Sequence, residues 1–326
     1  MKEIKSIAVV CGGDSGEYEI SVKSGEVVVK NLDPTKYKAF LLFICGKDWY
    51  HQDSAGNKYQ VDKNDFSILI NGQKITFDAV FNAIHGTPGE DGKLLGYLDM
   101  MKIPYTSCSM VTSALTFHKD YCKRVVKTHG MMVAESVLLT KNHLLPVEEI
   151  IKTTGLPAFV KPNNGGSSVG VSKVKTAEEM MPAIEKALLE DGEVLVESFI
   201  AGREIGCGVL ESKGRMIVFP ITEIVSKKEF FDYEAKYTEG MSDEITPAPV
   251  DEETETLIKA TGAYLYQRIG CKGFVRFDFI LTPKDLYFLE VNTVPGISPA
   301  SIIPKQAGIM GIALEQLFGM ALENII

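Results

Sequence analysis

The chain is poor in the signatures that would settle its chemistry at a glance. Its cysteines stand at 11, 45, 108, 122, 207 and 271 with no C-x-x-C pair and no zinc-finger spacing, so they read as small buried residues of a reducing compartment. No apolar run approaches the ~18 residues of a membrane-spanning helix, and the run in MKEIKSIAVVCGG is too short for a signal peptide. The expectation is a soluble cytoplasmic protein without a membrane partner. Positive charge is scarce: 34 Lys and Arg face 43 Asp and Glu, a net charge of −9, which argues against a nucleic-acid footprint but leaves room for a local basic pocket. Nucleotide motifs are also missing. Gly12-Gly13-Asp14-Ser15-Gly16 lacks the G-x-G-x-x-G spacing of a dinucleotide fold, no HRD or DFG is present, and Val171 stands where a Walker A loop needs lysine after Gly165 and Gly170. There is no internal repeat and no low-complexity tract.

The 326 residues suffice for two or three compact units. Strand and helix signals alternate at first: a strand at 4–11, a helix at 16–32, strands at 37–44 and 78–84, a helix at 93–101. That is the pattern of a parallel α/β sheet, with Gly12-Gly13 breaking the first strand where ligands gather. A polar meander at 47–74 interrupts it, and Pro104 marks an edge. A smaller unit follows, with helices at 109–129, strands at 158–161 and 169–174, a helix at 176–189 and a strand at 193–199. The last part has strands at 204–210 and 215–219 and an irregular stretch from Glu223 to Val250 of lid-like length. Then come a helix at 252–269, two strand runs, and a terminal helix after Pro304. The expected class is α/β, divided at 1–102, 103–197 and 198–326.

Two features call for a ligand. The runs GFVRFDFIL and LYFLEVN flank the turn-like Thr282-Pro283-Lys284-Asp285, and a hairpin there would put Asp278, Glu290 and Asn292 on one face with Arg276 beside them. Hard oxygen ligands on rigid strands suit Mg²⁺ better than Zn²⁺. The alternative is a solvated strand face, but a cation, two acids and an amide on otherwise apolar strands are costly to bury without a ligand. Lys161-Pro162-Asn163-Asn164-Gly165-Gly166-Ser167-Ser168-Val169-Gly170 joins two apolar runs and could cradle phosphate through backbone N–H groups; a plain hairpin turn is the alternative.

GGDSGEYEISVKSG, HGTPGEDGKLLGYL, VKPNNGGSSVG, DYEAKY, GFVRFDF and EVNTVPGISPASIIP occur in the order found in D-alanine-D-alanine ligases, and the chain resembles that family of the ATP-grasp superfamily from Gly12 to Gln306. The resemblance implies an N-terminal α/β domain before a two-domain, α+β ATP-grasp fold. It implies ATP-dependent joining of two D-alanines through an acyl phosphate, for peptidoglycan precursor synthesis, by a homodimer. A D-alanine-D-serine or D-alanine-D-lactate ligase on the same fold is the alternative.

The same resemblance implies the site. Asp278, Glu290 and Asn292 would hold two Mg²⁺ ions, or Mn²⁺. Lys119, Lys161 and the lid residue Lys236 would reach the phosphates under the flap of Ser167 and Ser168. Glu197 and the backbone up to Ile200 would read adenine, and Glu204 the ribose; Ser198 replaces a lysine common in relatives, at a contact made through the backbone. Glu17, with Glu19 as a near neighbour to be confused with it, would hold the first D-alanine's ammonium beside His85. Arg276 and the Gly296 N–H would form an oxyanion hole apart from the metals. Ser301 and the Ile302 N–H would bind the second carboxylate. Tyr237 would favour D-alanine as acceptor and meet Ser167 and Glu17 when the lid closes over the acyl phosphate.

Overall fold

Residues 7–11 are all fully buried, as a continuous apolar run must be when a strand is covered on both faces. They belong to a sheet of β1 (Lys5–Gly12), β2 (Tyr37–Cys45), β3 (Asp48–Gln52), β4 (Lys58–Asp62), β5 (Ser67–Ile70), β6 (Gln73–Ile75) and β7 (Ala79–Asn82), in the order β6-β5-β4-β3-β2-β1-β7. In the computed structural model residues 3–166, 168–226 and 242–326 are described, with only the backbone of Ser226 and Ser242. β1 pairs in parallel with β2 and β7, as the alternating pattern predicts. The stretch 47–74 does interrupt the strand–helix alternation, and what the sequence left unread is that it forms the antiparallel ribbon β3 to β6, which extends the sheet. Asn71 and Gly72 turn its last hairpin with φ of 52° and 80°, the pair of left-handed residues that a tight hairpin favours.

The first helices are α1 (Tyr18–Asn31), α2 (Lys93–Met101), α3 (Met110–Phe117) and α4 (Lys119–Thr128). After β8 (Met132–Val133), a second sheet has β9 (Ser136–Thr140), β10 (Ala158–Pro162), β11 (Ser172–Val174) and β12 (Glu193–Ser198) in the order β11-β10-β12-β9, all antiparallel. Its apolar face packs with α5 (Val147–Thr154) and α6 (Met180–Ala187) through Leu139, Ile150, Val160, Ile184 and Val196. β8, β9 and α5 lie where the sequence offered no reading.

The third sheet contains β13 (Arg203–Ser212), β14 (Arg215–Val218), β15 (Thr222–Ser226), β16 (Ser242–Ile245), β17 (Phe274–Leu281) and β18 (Leu286–Asn292), with α7 (Glu252–Arg268), α8 (Ile302–Ile309) and α9 (Leu314–Leu322) around it. Its order is β16-β15-β13-β17-β18-β8, with β14 also on β13. The stretch expected to be irregular, Glu223 to Val250, thus contains paired strands at 223–226 and 242–245 and is irregular at 246–250; residues 227–241 lie outside the described residues. The terminal helix is two helices. Pro304 sits inside the first turn of α8, where its missing N–H has no partner to lose, and Gly311 at φ 74° separates α8 from α9. Ile7, Val9 and Phe81 of the first sheet share a core with Leu210 of β13, Phe274 of β17 and Phe318 of α9, which fixes the first sheet against the hairpin of the third. Among the described residues no helix is long and apolar enough to cross a membrane.

Candidate active site

β17 and β18 pair antiparallel with Asp278 opposite Glu290 and Arg276 opposite Asn292, and Thr282 N–H closes the turn on the Asp285 carbonyl at 2.9 Å. Period-two geometry therefore gathers the predicted set on one face. Asp278 is 1% exposed. The guanidinium of Arg276 donates to both its oxygens, Nε to Oδ1 and Nη2 to Oδ2 at 2.7 Å each, and Asn292 Nδ2 donates to Oδ2 at 2.9 Å. Arg276 thus stands beside the acids on one face, as the strand period predicts, and it is bonded to Asp278 directly. Burial works against the guanidinium's charge, but Asp278 outweighs it and raises the Arg276 pKa. Nη1 takes no part in this pair, so Asp278 orients the fork while leaving one edge of it for another partner.

The opposite wall is cationic. Lys119 and Lys123 lie one turn apart on α4 and so on one face. Lys119 donates to the Gly165 carbonyl in the flap, and Lys123 to Glu197 Oε1. Lys161 of β10 takes the other oxygen, Oε2; with Glu197 opposite Phe159, the Lys161 side chain is its diagonal neighbour on the same face. Burial raises the Glu197 carboxyl, yet Lys161 and Lys123 together bring it down to about 2. Burial also lowers the pKa of Lys119 and Lys123. Lys123 escaped the sequence reading, although its spacing from Lys119 was a usable signal.

The third wall comes from the strand ends of the first sheet. The Gly12 N–H bonds Ser21 Oγ at 2.8 Å, and Ser21 Oγ donates to the Ala83 carbonyl at 2.8 Å, so the start of α1 is tied to β1 and β7. Gly13, at φ 98°, allows the close turn: a Cβ there would lie 2.9 Å from the Thr87 carbonyl oxygen. Glu17 is consequently buried, Glu19 exposed, and no side chain caps α1, which removes helix capping as the role of Glu17. A Cβ on Gly166 would meet Glu17 Oε2 at 2.7 Å, so glycine lets the flap approach that carboxylate. His85 Nδ1 donates to the Val294 carbonyl at 2.8 Å, which makes Nε2 the acceptor from Ser24 Oγ at 2.9 Å. Glu90, also unread in the sequence, accepts from Gly86 N–H at 2.7 Å and Val294 N–H at 3.2 Å. Ser301 does not cap α8; its Oγ lies 2.9 Å from Ser298 Oγ.

These walls enclose one cavity of about 850 Å³. Its lining takes in Glu17 and His85, the flap from Gly165 to Gly166 and Ser168, Lys119 and Lys161, and Glu197, Ile200 and Glu204. Arg276, Asp278, Glu290, Asn292, Gly296, Ser301 and Ile302 complete it. Ser167, Lys236 and Tyr237 lie outside the described residues. Lys123 stands behind Glu197 and does not line the cavity.

Family models described as D-ala D-ala ligase N-terminus and D-ala D-ala ligase C-terminus match residues 6–108 and 125–323. The chain belongs to the D-alanine-D-alanine ligase family. The D-alanine-D-alanine ligase of Flavobacterium johnsoniae is 48% identical across 98% of this chain and 99% of its own length. Among solved structures, the VanG D-Ala:D-Ser ligase from Enterococcus faecalis matches with a TM-score of 0.86 at 34% identity, covering 99% of this chain and 100% of that one. The Bacillus anthracis D-alanine-D-alanine ligase complexed with ATP matches with a TM-score of 0.76 at 28% identity, over 98% of this chain and 96% of that one. The chain is accordingly an ATP-dependent ligase with the mixed α/β ATP-grasp architecture of this family.

Proposed function

We propose that the chain joins two D-alanines into D-alanyl-D-alanine, cleaving ATP to ADP and phosphate, to supply peptidoglycan precursors in the cytoplasm. The observation that carries this reading is one cavity with a carboxylate-rich hairpin at one end, a lysine-rich wall at the other, and the Glu17 and His85 strand ends beside them. A polyphosphate and its counter-cation fit between such ends.

The first D-alanine's carboxylate attacks the γ-phosphorus and ADP leaves, giving an acyl phosphate. The second D-alanine's amine then attacks the acyl carbon, and phosphate departs once the tetrahedral oxyanion collapses. Glu17 holds the first ammonium, with His85 fixed beside it by Ser24 and Val294. Ser301 and the Ile302 N–H hold the second carboxylate. Arg276, oriented by Asp278, turns its unused edge to the oxyanion together with the Gly296 N–H.

Lys119 and Lys161 neutralise the phosphates under the flap that holds Ser168, and phosphate-binding roles are proposed for Lys236 and Ser167 as well. Glu197, Ile200 and Glu204 take adenine and ribose, and Tyr237 closes over the acceptor. Asp278, Glu290 and Asn292 are hard oxygen donors on adjacent strands and fit Mg²⁺, provided the Asn292 amide turns its oxygen inward and Arg276 shares Asp278. When bound, Mg²⁺ supplies charge neutralisation on the transferring phosphoryl group. We take 1–102, 103–197 and 198–326 as the three domains, and a homodimer as the working assembly.

Phosphate release from ATP should require both D-alanine and Mg²⁺. Product analysis with D-alanine, D-serine and D-lactate competing at one concentration should give D-alanyl-D-alanine. Stimulation by another amino acid in place of D-alanine contradicts the reading, and a D-serine or D-lactate product shifts it to a sister ligase such as the VanG match.

A further inference from the structure

Lys123 has no part in the roles above, yet it is 4% exposed and ion-paired to a carboxylate that is 5% exposed. Two ammonium groups thus share Glu197, one on each oxygen. They differ in a way that matters. Lys161 lines the cavity, so an incoming anion can recruit it; Lys123 approaches from α4, behind Glu197, where the cavity does not reach. A ligand can therefore remove one counter-charge from Glu197 but not the other.

We propose that Lys123 is a positioning residue for base recognition, holding Glu197 charged and aimed while Lys161 leaves it for a phosphate oxygen. The inference rests on the adenine role of Glu197 and the phosphate role of Lys161 given above. In the ligand-free protein Lys161 occupies Oε2. Nucleotide binding draws the Lys161 ammonium to phosphate, and Oε2 becomes the acceptor for the exocyclic amine of adenine. Lys123 keeps Oε1 throughout, so the departure of Lys161 does not strand an unpaired buried carboxylate, which is the costly outcome when one partner of a buried pair is removed. Without Lys123, Lys161 still leaves for the phosphate, but Glu197 then takes up a proton: the amine of adenine faces a neutral carboxyl, whereas the carbonyl of hypoxanthine gains a donor.

The test is calorimetric binding of ADP and of IDP, which presents a carbonyl oxygen in place of the amine, to the full chain with Mg²⁺. Wild type should prefer ADP. Lys123→Met should weaken ADP roughly 10- to 100-fold, the range for a hydrogen bond to a charged group, and IDP by less than about threefold. Lys123→Arg should recover most of the ADP affinity, and the KM for D-alanine should not move. Equal weakening of ADP and IDP, or of neither, overturns the inference in favour of a purely structural ion pair. Should Lys123→Met fail to fold, the double variant Lys123→Met with Glu197→Gln is read against Glu197→Gln alone: equal ADP-over-IDP preference supports the coupling, and a further change contradicts it. Wild type that binds ADP and IDP alike also overturns it. Wild type that prefers ADP but releases no phosphate with D-alanine contradicts the proposed reaction and leaves the base-recognition result standing.

Discussion

The hairpin end and the helix end of the cavity are built with opposite charge bias. Among the described residues, Arg276 at the hairpin faces Asp278 and Glu290, whereas at the helix end Glu197 faces Lys123 and Lys161 with Lys119 close by. Each end also keeps its minority charge largely out of solvent and engaged by its neighbours: Arg276 by Asp278, Glu197 by two lysines. Buried pairs of this kind gain little net stability over apolar packing, because desolvation offsets most of the attraction. Their use is readier to see as poise. One end is short of positive charge and the other of negative charge, the arrangement that the proposed magnesium nucleotide would complement.

The comparison breaks most visibly at the hairpin. Arg276→Ala should lower the turnover number by roughly 10²- to 10³-fold, the cost of a lost oxyanion donor, while the KM for ATP changes little. Steady-state kinetics on both substrates decides it; an unchanged turnover number would remove Arg276 from the acyl step. At the other end the same kind of change should fall on binding. Lys161→Met should raise the KM for ATP roughly 10- to 100-fold and leave the KM for D-alanine alone, the cost of the charge-assisted contact to phosphate proposed for it. If both variants gave the same kinetic pattern, the division between the ends would be wrong.

Acid sharpens the contrast further. The folded-state pKa of Glu197, about 2, lies below the ordinary 4.5, so its stabilising contribution is complete above pH about 4.5 and is lost as pH falls toward 2. Glu197→Gln should be less stable than wild type at neutral pH and show a flatter stability profile between pH about 4.5 and 2, measured by denaturant melts. A profile parallel to wild type would contradict the pairing. The smallest effect belongs to a site far from both ends. Gly72→Ala, at φ 80° in the β5–β6 hairpin, should cost about 1 kcal/mol of stability and leave both KM values untouched.

How much of this could be read from the sequence differs between the two ends for a physical reason. The hairpin was legible because a strand's period is two and the turn at 282–285 is short, so residue spacing alone fixes which side chains meet. What spacing could not fix was whether Arg276 would bond Asp278 or point elsewhere, since that depends on rotamers and on what else is buried there. The helix end was legible only in part. Lys161 sits in a motif and Lys119 follows from the family resemblance, but Lys123 meets Glu197 across 74 positions of sequence, and only the anchoring of the start of α4 on Asn163, just after β10, joins them.

In the first sheet, β1, β2 and β7 announced themselves as apolar runs. The strands β3 to β6 did not, because they are short and mix polar with apolar side chains without a sustained run; the Asn71-Gly72 turn was their one strong signal.

The central claim, that the two ends are complementary to the two charges of one ligand, is tested most directly by calorimetric titration of ATP into the full chain with and without Mg²⁺, in wild type and in Asp278→Asn. Mg²⁺ should tighten ATP binding to wild type at least roughly tenfold, and Asp278→Asn should abolish that gain while keeping the metal-free affinity, since loss even of an outer-shell partner costs a metal site about that much. An ATP affinity indifferent to Mg²⁺ in wild type, or a gain that survives in Asp278→Asn, would contradict it.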